Sequence, residues 1–189
     1  MPRWEHGSLE RLQRAAFELF EEQGFPATSA VQIAERAGVT TRTFFRYFGD
    51  KEEVPFADAG RLRAALVEAV RHAGDIAEPL HVVTLALAGF DWGSLGSRES
   101  QRRRDLMIAA NPELLERDLI KQQQLGDGFG DALRRRGVDP DVAELAARVG
   151  IQVFRIAYQR WVHAERDLDL RALTAAELSR LARIVPVGT

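Results

Sequence analysis

Residues 29–51, SAVQIAERAGVTTRTFFRYFGDK, decide the reading of this chain. Two short helices can be drawn through them, with a tight turn between. Ser29 carries the side-chain oxygen that caps a helix, and Val31, Ile33, Ala34 and Ala37 recur at the spacing of an apolar helical face. Gly38 stands where a helix closes on a left-handed residue, a conformation that glycine enters without a Cβ clash. Thr40 can cap a second helix from Thr41 to about Tyr47. Helix, glycine turn and helix at this spacing make a helix-turn-helix, whose second helix offers its first turn to the major groove of DNA. Thr41 and Arg42 occupy that turn. Arginine there can donate two hydrogen bonds to guanine O6 and N7, and threonine can meet a thymine methyl or a base edge. For both, the alternative is a solvated helix surface.

The same residues closely resemble the DNA-binding domain of the TetR family of bacterial transcription regulators. The family pattern runs Val, Ser/Thr, two variable residues, Thr, hydrophobic, Tyr/Phe, variable, His/Tyr, Phe, two variable residues, Lys. Here it reads Val39, Thr40, Thr41-Arg42, Thr43, Phe44, Phe45, Arg46, Tyr47, Phe48, Gly49-Asp50, Lys51. GFPAT at 24–28 resembles the family's link between its first and second helices, and ANPELLERDL at 110–119 looks like a recurring element of one actinobacterial subgroup. The resemblance implies phosphate contacts at Thr28, Thr43, Tyr47 and Lys51, since a hydroxyl, a phenol and an ammonium can each bond a phosphate oxygen and fix register. Phe45 departs from the family's frequent tyrosine and loses that hydroxyl, which implies either a weaker hold on DNA or compensation by Arg46. The expected DNA-facing set is Thr28, Thr40, Thr41, Arg42, Thr43, Phe45, Arg46, Tyr47 and Lys51. Phe44 and Phe48 read as core.

Bulk charge does not announce a nucleic-acid partner: 26 basic and 28 acidic residues leave a net charge of −2. Between Arg36 and Lys51, however, the cations Arg36, Arg42, Arg46 and Lys51 face a single acid, Asp50. That narrow footprint suits a few phosphate contacts rather than indiscriminate coating. With no cysteine among 189 residues, disulfides and thiolate zinc sites are excluded. No apolar run approaches the roughly 20 residues of a membrane span. MPRWEHGSLERL carries charges where a secretory signal needs an apolar stretch, so a cytoplasmic protein without a membrane partner is expected.

Helical periodicity continues through the chain, and no alternating strand pattern interrupts it. The expected fold is all-α, about nine helices: 8–23, the two of the helix-turn-helix, an irregular start at Asp50 regularising from Phe56 to Arg71, then 78–91, 99–110, 112–136, 140–165 and 171–184. Pro55 explains the irregular start, because it removes a backbone donor. Residues 1–50 form the expected DNA-binding domain and 51–189 a helical ligand-binding and dimerisation domain. A homodimer is expected through the last two helices. The first of them carries Val142, Leu145, Ala146, Val149, Val153, Ile156 and Ala157 around much of its circumference, with Ala146, Ala147 and Gly150 allowing close approach. Phe90, Trp92, Met107, Phe129, Phe154 and Tyr158 are candidates to line an apolar pocket for a small-molecule effector, although for each one taken singly the core reading is the stronger.

Other motifs point away from catalysis and cofactors. His6, His72, His81 and His163 lack metal-ligand spacing and read as structural or surface residues, His81 being the first exception to consider because it lies in the expected ligand domain. No GxSxG elbow and no GxxxxGK[ST] loop occurs. Gly126, Gly128 and Gly130 fail the GxGxxG pattern at Asp131, which leaves close helix packing or a pocket wall. The runs Arg102–Arg104 and Arg134–Arg136 read as solvated faces, with Arg104 able to meet an acidic ligand if it points inward. The function expected is a TetR-like regulator, most simply a repressor that binds a near-palindromic DNA operator as a dimer and is released by an effector. A ligand-independent regulator or activator is the alternative.

Overall fold

The computed structural model describes residues 4–184, with side chains from Gly7 onward; the side chain of His6 lies outside the described residues. Regular structure among them is helical: α1 (Trp4–Gln23), α2 (Ala30–Arg36), α3 (Thr41–Tyr47), α4 (Ala59–Arg71), α5 (Pro79–Gly89), α6 (Arg98–Ala110), α7 (Pro112–Arg135), α8 (Pro140–Val162) and α9 (Leu170–Ile184). Two 3-10 turns intervene, Lys51–Phe56 and Trp92–Leu95. Pro55 lies inside the first, where it accounts for the irregular approach to α4. No described helix is long and apolar enough to cross a membrane.

The chain divides into two compact units. The first holds the residues up to Ala59 together with Leu106–Arg117, and the second holds the remainder. This differs from the expected division at 50/51. Val54 and Phe56 bury in the same core as Leu12, Phe20, Ile33 and Phe44, and Ile108 and Leu114 join them from the end of α6 and the start of α7. Helical periodicity marks where helices lie but not which core a returning segment enters.

In the first unit, α1 buries Leu12, Ala15, Ala16, Leu19 and Phe20 and closes at Gly24, whose φ is +86°. Ser29 caps α2 in a reciprocal box: its hydroxyl accepts from the Gln32 amide at 3.2 Å, and Gln32 Oε1 accepts from the Ser29 amide at 2.9 Å. Gly38, at φ +66°, ends α2 with two bonds, its own amide to Glu35 O and the Val39 amide to Ala34 O, each 3.0 Å. That pair is a Schellman closure, and it sets the direction in which α3 departs.

The second unit packs α5 against α8 and α8 against α9. Its core contains Leu66, Val70, Val83, Leu87, Phe129, Leu133, Ala143, Ala147, Ile151, Phe154 and Ala157. The small residues of α8 face this core rather than an open side. A Cβ placed on Gly150 would lie 2.6 Å from Val83 Cγ1, so α5 and α8 approach as closely as glycine allows. Gly150→Ala is expected to cost about 1–3 kcal/mol of stability by overpacking. Val83→Ala in the same chain should recover part of that loss in a denaturant titration, and simple additivity of the two costs would contradict the contact.

Gly126, Gly128 and Gly130 do not break α7. A Cβ on Gly128 would stand 2.8 Å from Val67 Cγ2, so close helix packing explains that position. Arg136 is not a solvated cation: it donates to Val70 O at 3.0 Å and Gly74 O at 2.8 Å, closing the end of α4.

Candidate nucleic-acid interface

Local capping builds α3. Thr40 is extended, and its hydroxyl accepts from the Thr43 amide at 3.1 Å while lying 3.0 Å from the Thr43 hydroxyl. The helix then turns one side inward. Phe44 is fully buried and Phe48 nearly so, their rings 5.4 Å apart. The opposite side carries Arg42, Phe45 and Arg46 into solvent, flanked by half-buried Thr41, Thr43 and Tyr47. Phe45 is 54% exposed and meets Phe44 edge-on at 5.3 Å, an orientation suited to contact beyond the domain rather than to its core. Arg46 lies over the Tyr47 ring at 5.0 Å and donates to its hydroxyl at 3.3 Å. Arg42 has no ion pair among the described residues, so its guanidinium is available for a bidentate contact.

Two residues expected to meet phosphates have partners within the fold. Thr28 is 2% exposed, and its hydroxyl lies 2.9 Å from Gly24 O and 3.2 Å from Gln23 Nε2. It ties the end of α1 to the loop before α2. Lys51 donates to Phe25 O at 2.9 Å, Pro26 O at 3.3 Å and Thr28 O at 2.8 Å, and its ammonium sits 4.6 Å from the Phe25 ring centroid. A lysine has three N–H donors, and all three are engaged. Lys51 therefore fastens the 25–28 loop to the turn after α3.

The cationic footprint is also narrower than the linear count. Arg36 donates to both oxygens of Glu22, at 2.8 and 2.7 Å, and stands 3.6 Å from Glu18. Those hydrogen bonds hold the Glu22 carboxyl below its usual range. Arg36 thus links α2 to α1, leaving Arg42 and Arg46 as the outward cations of α3. The pairing is tertiary, between residues fourteen apart, and no local spacing signals it. The Ser29-x-x-Gln32 capping box, by contrast, is a spacing that sequence alone contains.

In the second unit, Phe90, Trp92, Phe154 and Tyr158 do come together. Trp92 lies 5.4 Å from Phe90, 5.2 Å from Phe154 and 5.0 Å from Tyr158, and Trp161, not anticipated, joins at 5.6 Å from Tyr158. Phe129 is fully buried in the same core, whereas Met107 belongs to the core of the first unit. Burial pushes the Tyr158 phenol up to about 12, so it stays protonated and donates to Gln101 Oε1 at 2.8 Å. An open cleft of about 500 Å³ is lined instead by Leu119, Gln122, Gln152, Arg155, Ile156, Gln159 and Arg160, and by none of the six expected residues. His81 is exposed, and no group of three or more metal-ligating side chains forms among the described residues.

The chain is similar to known bacterial regulators. The family described as bacterial regulatory proteins, tetR family, matches residues 12–57. The chain is 32% identical over 190 residues to the HTH-type transcriptional regulator TcmR of Streptomyces glaucescens, covering 94% of this chain and 82% of TcmR. Among solved structures, it is similar to the transcriptional repressor FadR of Thermus thermophilus, crystallised with lauroyl-CoA, at 27% identity, 96% coverage of each chain and a TM-score of 0.55. The fold also matches NalD, the secondary repressor of a multidrug efflux pump in Pseudomonas aeruginosa, at 21% identity, with 95% of this chain and 96% of NalD covered and a TM-score of 0.63.

Proposed function

Since the chain belongs to the TetR family of bacterial regulatory proteins and is a DNA-binding transcriptional regulator, we propose that it represses transcription as a homodimer, reading a near-palindromic operator through α3. The observation that carries the reading is the two-sided character of α3, anchored by Phe44 and Phe48 and presenting Thr41, Arg42, Phe45 and Arg46. Base edges are read by Arg42 and Thr41. Phosphates are met by Thr43, Arg46 and Tyr47, with Thr40 holding the helix start at the DNA surface. Such a protein works in the cytoplasm, beside the chromosome.

Support for the dimer comes from α8. Val142 is 47%, Leu145 65% and Ile156 49% exposed, and with Val149 they follow a three-four spacing along one side. An apolar stripe of that period fits a second helix of the same kind. The residues that allow close approach within this chain, Ala146, Ala147 and Gly150, lie on the opposite, buried side. A dimer places two recognition helices about one DNA turn or a multiple apart. Leu145→Glu should convert a wild-type dimer into monomers in light scattering at micromolar concentration, and a monomeric wild type would overturn the assembly.

Release by a small molecule is supported by the FadR relative, crystallised with lauroyl-CoA. Effector control requires that the ligand favour one of two arrangements with different DNA affinity. Gel shifts on the protein's own upstream DNA, with a panel of probes including acyl-CoA esters, test it. A panel that changes neither operator affinity nor the melting temperature would favour a ligand-independent regulator.

A further inference from the structure

The geometry points to Arg117 as a positioning residue for α3, acting through the turn that follows the recognition helix; this rests on the reading of α3 as the DNA-facing element. Arg117 lies in the first part of α7, in the segment that completes the first unit. One arm of its guanidinium donates to Asp50 Oδ2 and the other to Glu53 Oε1. Asp50 is the cap of the 3-10 turn at Lys51–Phe56, its other oxygen accepting from the Glu53 amide at 3.0 Å. A single planar cation therefore grips the cap and the third residue of one short turn, a geometry that a rigid fork meets and a point charge does not.

That turn is connected to the end of α3 on one side and to the loop before α2 on the other. Two residues before Asp50, Phe48 closes α3, its amide bonded to Phe44 O at 3.0 Å. Between the two carboxylates Lys51 holds the carbonyls of Phe25, Pro26 and Thr28, at the entrance to α2. The end of α3, the capped turn and the loop before α2 thus form one hydrogen-bonded run, and Arg117 ties it to α7. The Asp50, Glu53 and Arg117 side chains are 40, 32 and 30% exposed, so water can solvate the carboxylates once the arginine is gone. Losing the arginine should loosen the turn without unfolding the unit. Leu114 and Ile108, buried in the same core, continue to hold the segment in place.

The test uses the full chain and a duplex selected by the wild-type protein from a random-sequence pool. Arg117→Gln should weaken that duplex on the order of tenfold, a scale set by losing charge-assisted hydrogen bonds. The logarithmic salt dependence should stay unchanged, since no phosphate contact is removed. Amide exchange in residues 48–56 should accelerate. Arg117→Lys keeps the charge but cannot bridge both carboxylates, so it should remain weakened severalfold with the same exchange signature; it also carries the test should the Gln variant not fold. Arg117→Lys binding as wild type would reduce the role to net charge. A salt slope shallower by about one in either variant would make Arg117 a phosphate contact. Both variants binding within twofold of wild type would overturn the positioning role alone. A wild-type protein that selects no sequence would overturn the DNA reading of α3 and this inference with it.

Discussion

Arg42→Ala is expected to abolish most discrimination at one base pair of each operator half-site. A bidentate arginine–guanine contact contributes about 1–3 kcal/mol, so two half-sites in a dimer lose roughly 2–6 kcal/mol together. The structure makes the experiment clean. Arg42 is exposed and has no ion pair among the described residues, so its removal leaves no orphaned carboxylate and should not alter folding. Titrations on the operator and on single-pair variants at several salt concentrations provide the measurement. The variant should bind the operator far more weakly while losing little on DNA already altered at the contacted pair. Tyr47→Phe is the contrast. A phosphate contact carries no sequence information, so that change should weaken all duplexes by a similar factor. Equal weakening of every sequence by Arg42→Ala would identify Arg42 as a backbone contact and remove it from base reading.

The second large effect separates two adjacent phenylalanines. Phe44 is fully buried and packs with Phe48, whereas Phe45 is 54% exposed. Truncating a buried phenylalanine costs about 3–5 kcal/mol, a large part of the 5–15 kcal/mol typical of a whole domain. Phe44→Ala should therefore unfold the first unit at much lower denaturant, with rapid amide exchange in α1–α3 and loss of DNA binding. Phe45→Ala should leave the denaturant midpoint nearly unchanged and weaken DNA binding only. The pairing is sensitive to the register of α3: a rotation by one residue would exchange the two phenotypes.

Many elements of the first unit are legible locally. Ser29, Gly38 and Thr40 mark a cap, a left-handed closure and a second cap, and each performs that role. Pro55 announces the irregular turn that precedes α4. The inward side of α3 follows from Phe44 and Phe48, because three- and four-residue spacing is a property of the helix itself. Legibility fails where a side chain has more than one chemically reasonable partner. Lys51 and Thr28 have donors that suit a phosphate, yet the nearest acceptors in the fold are carbonyls of the 24–28 loop. Arg36 counts as a cation in any linear window but meets Glu22 across two helices. Met107 is as apolar as the aromatic residues grouped with it, and hydrophobicity does not say which of two cores it enters.

The sequence by itself determined that the described chain is helical, where most helices begin and end, and which side of α3 faces outward. These depend on backbone capping, glycine and proline stereochemistry and helical period, all of which act within a few residues. Only the tertiary structure decided that Leu106–Arg117 completes the first unit, that Arg117 clasps Asp50 and Glu53, and that the small side of α8 packs on Val83. Those outcomes depend on which surfaces meet after the helices form, a choice made by burial and charge pairing among residues distant in the chain, and no local spacing records it.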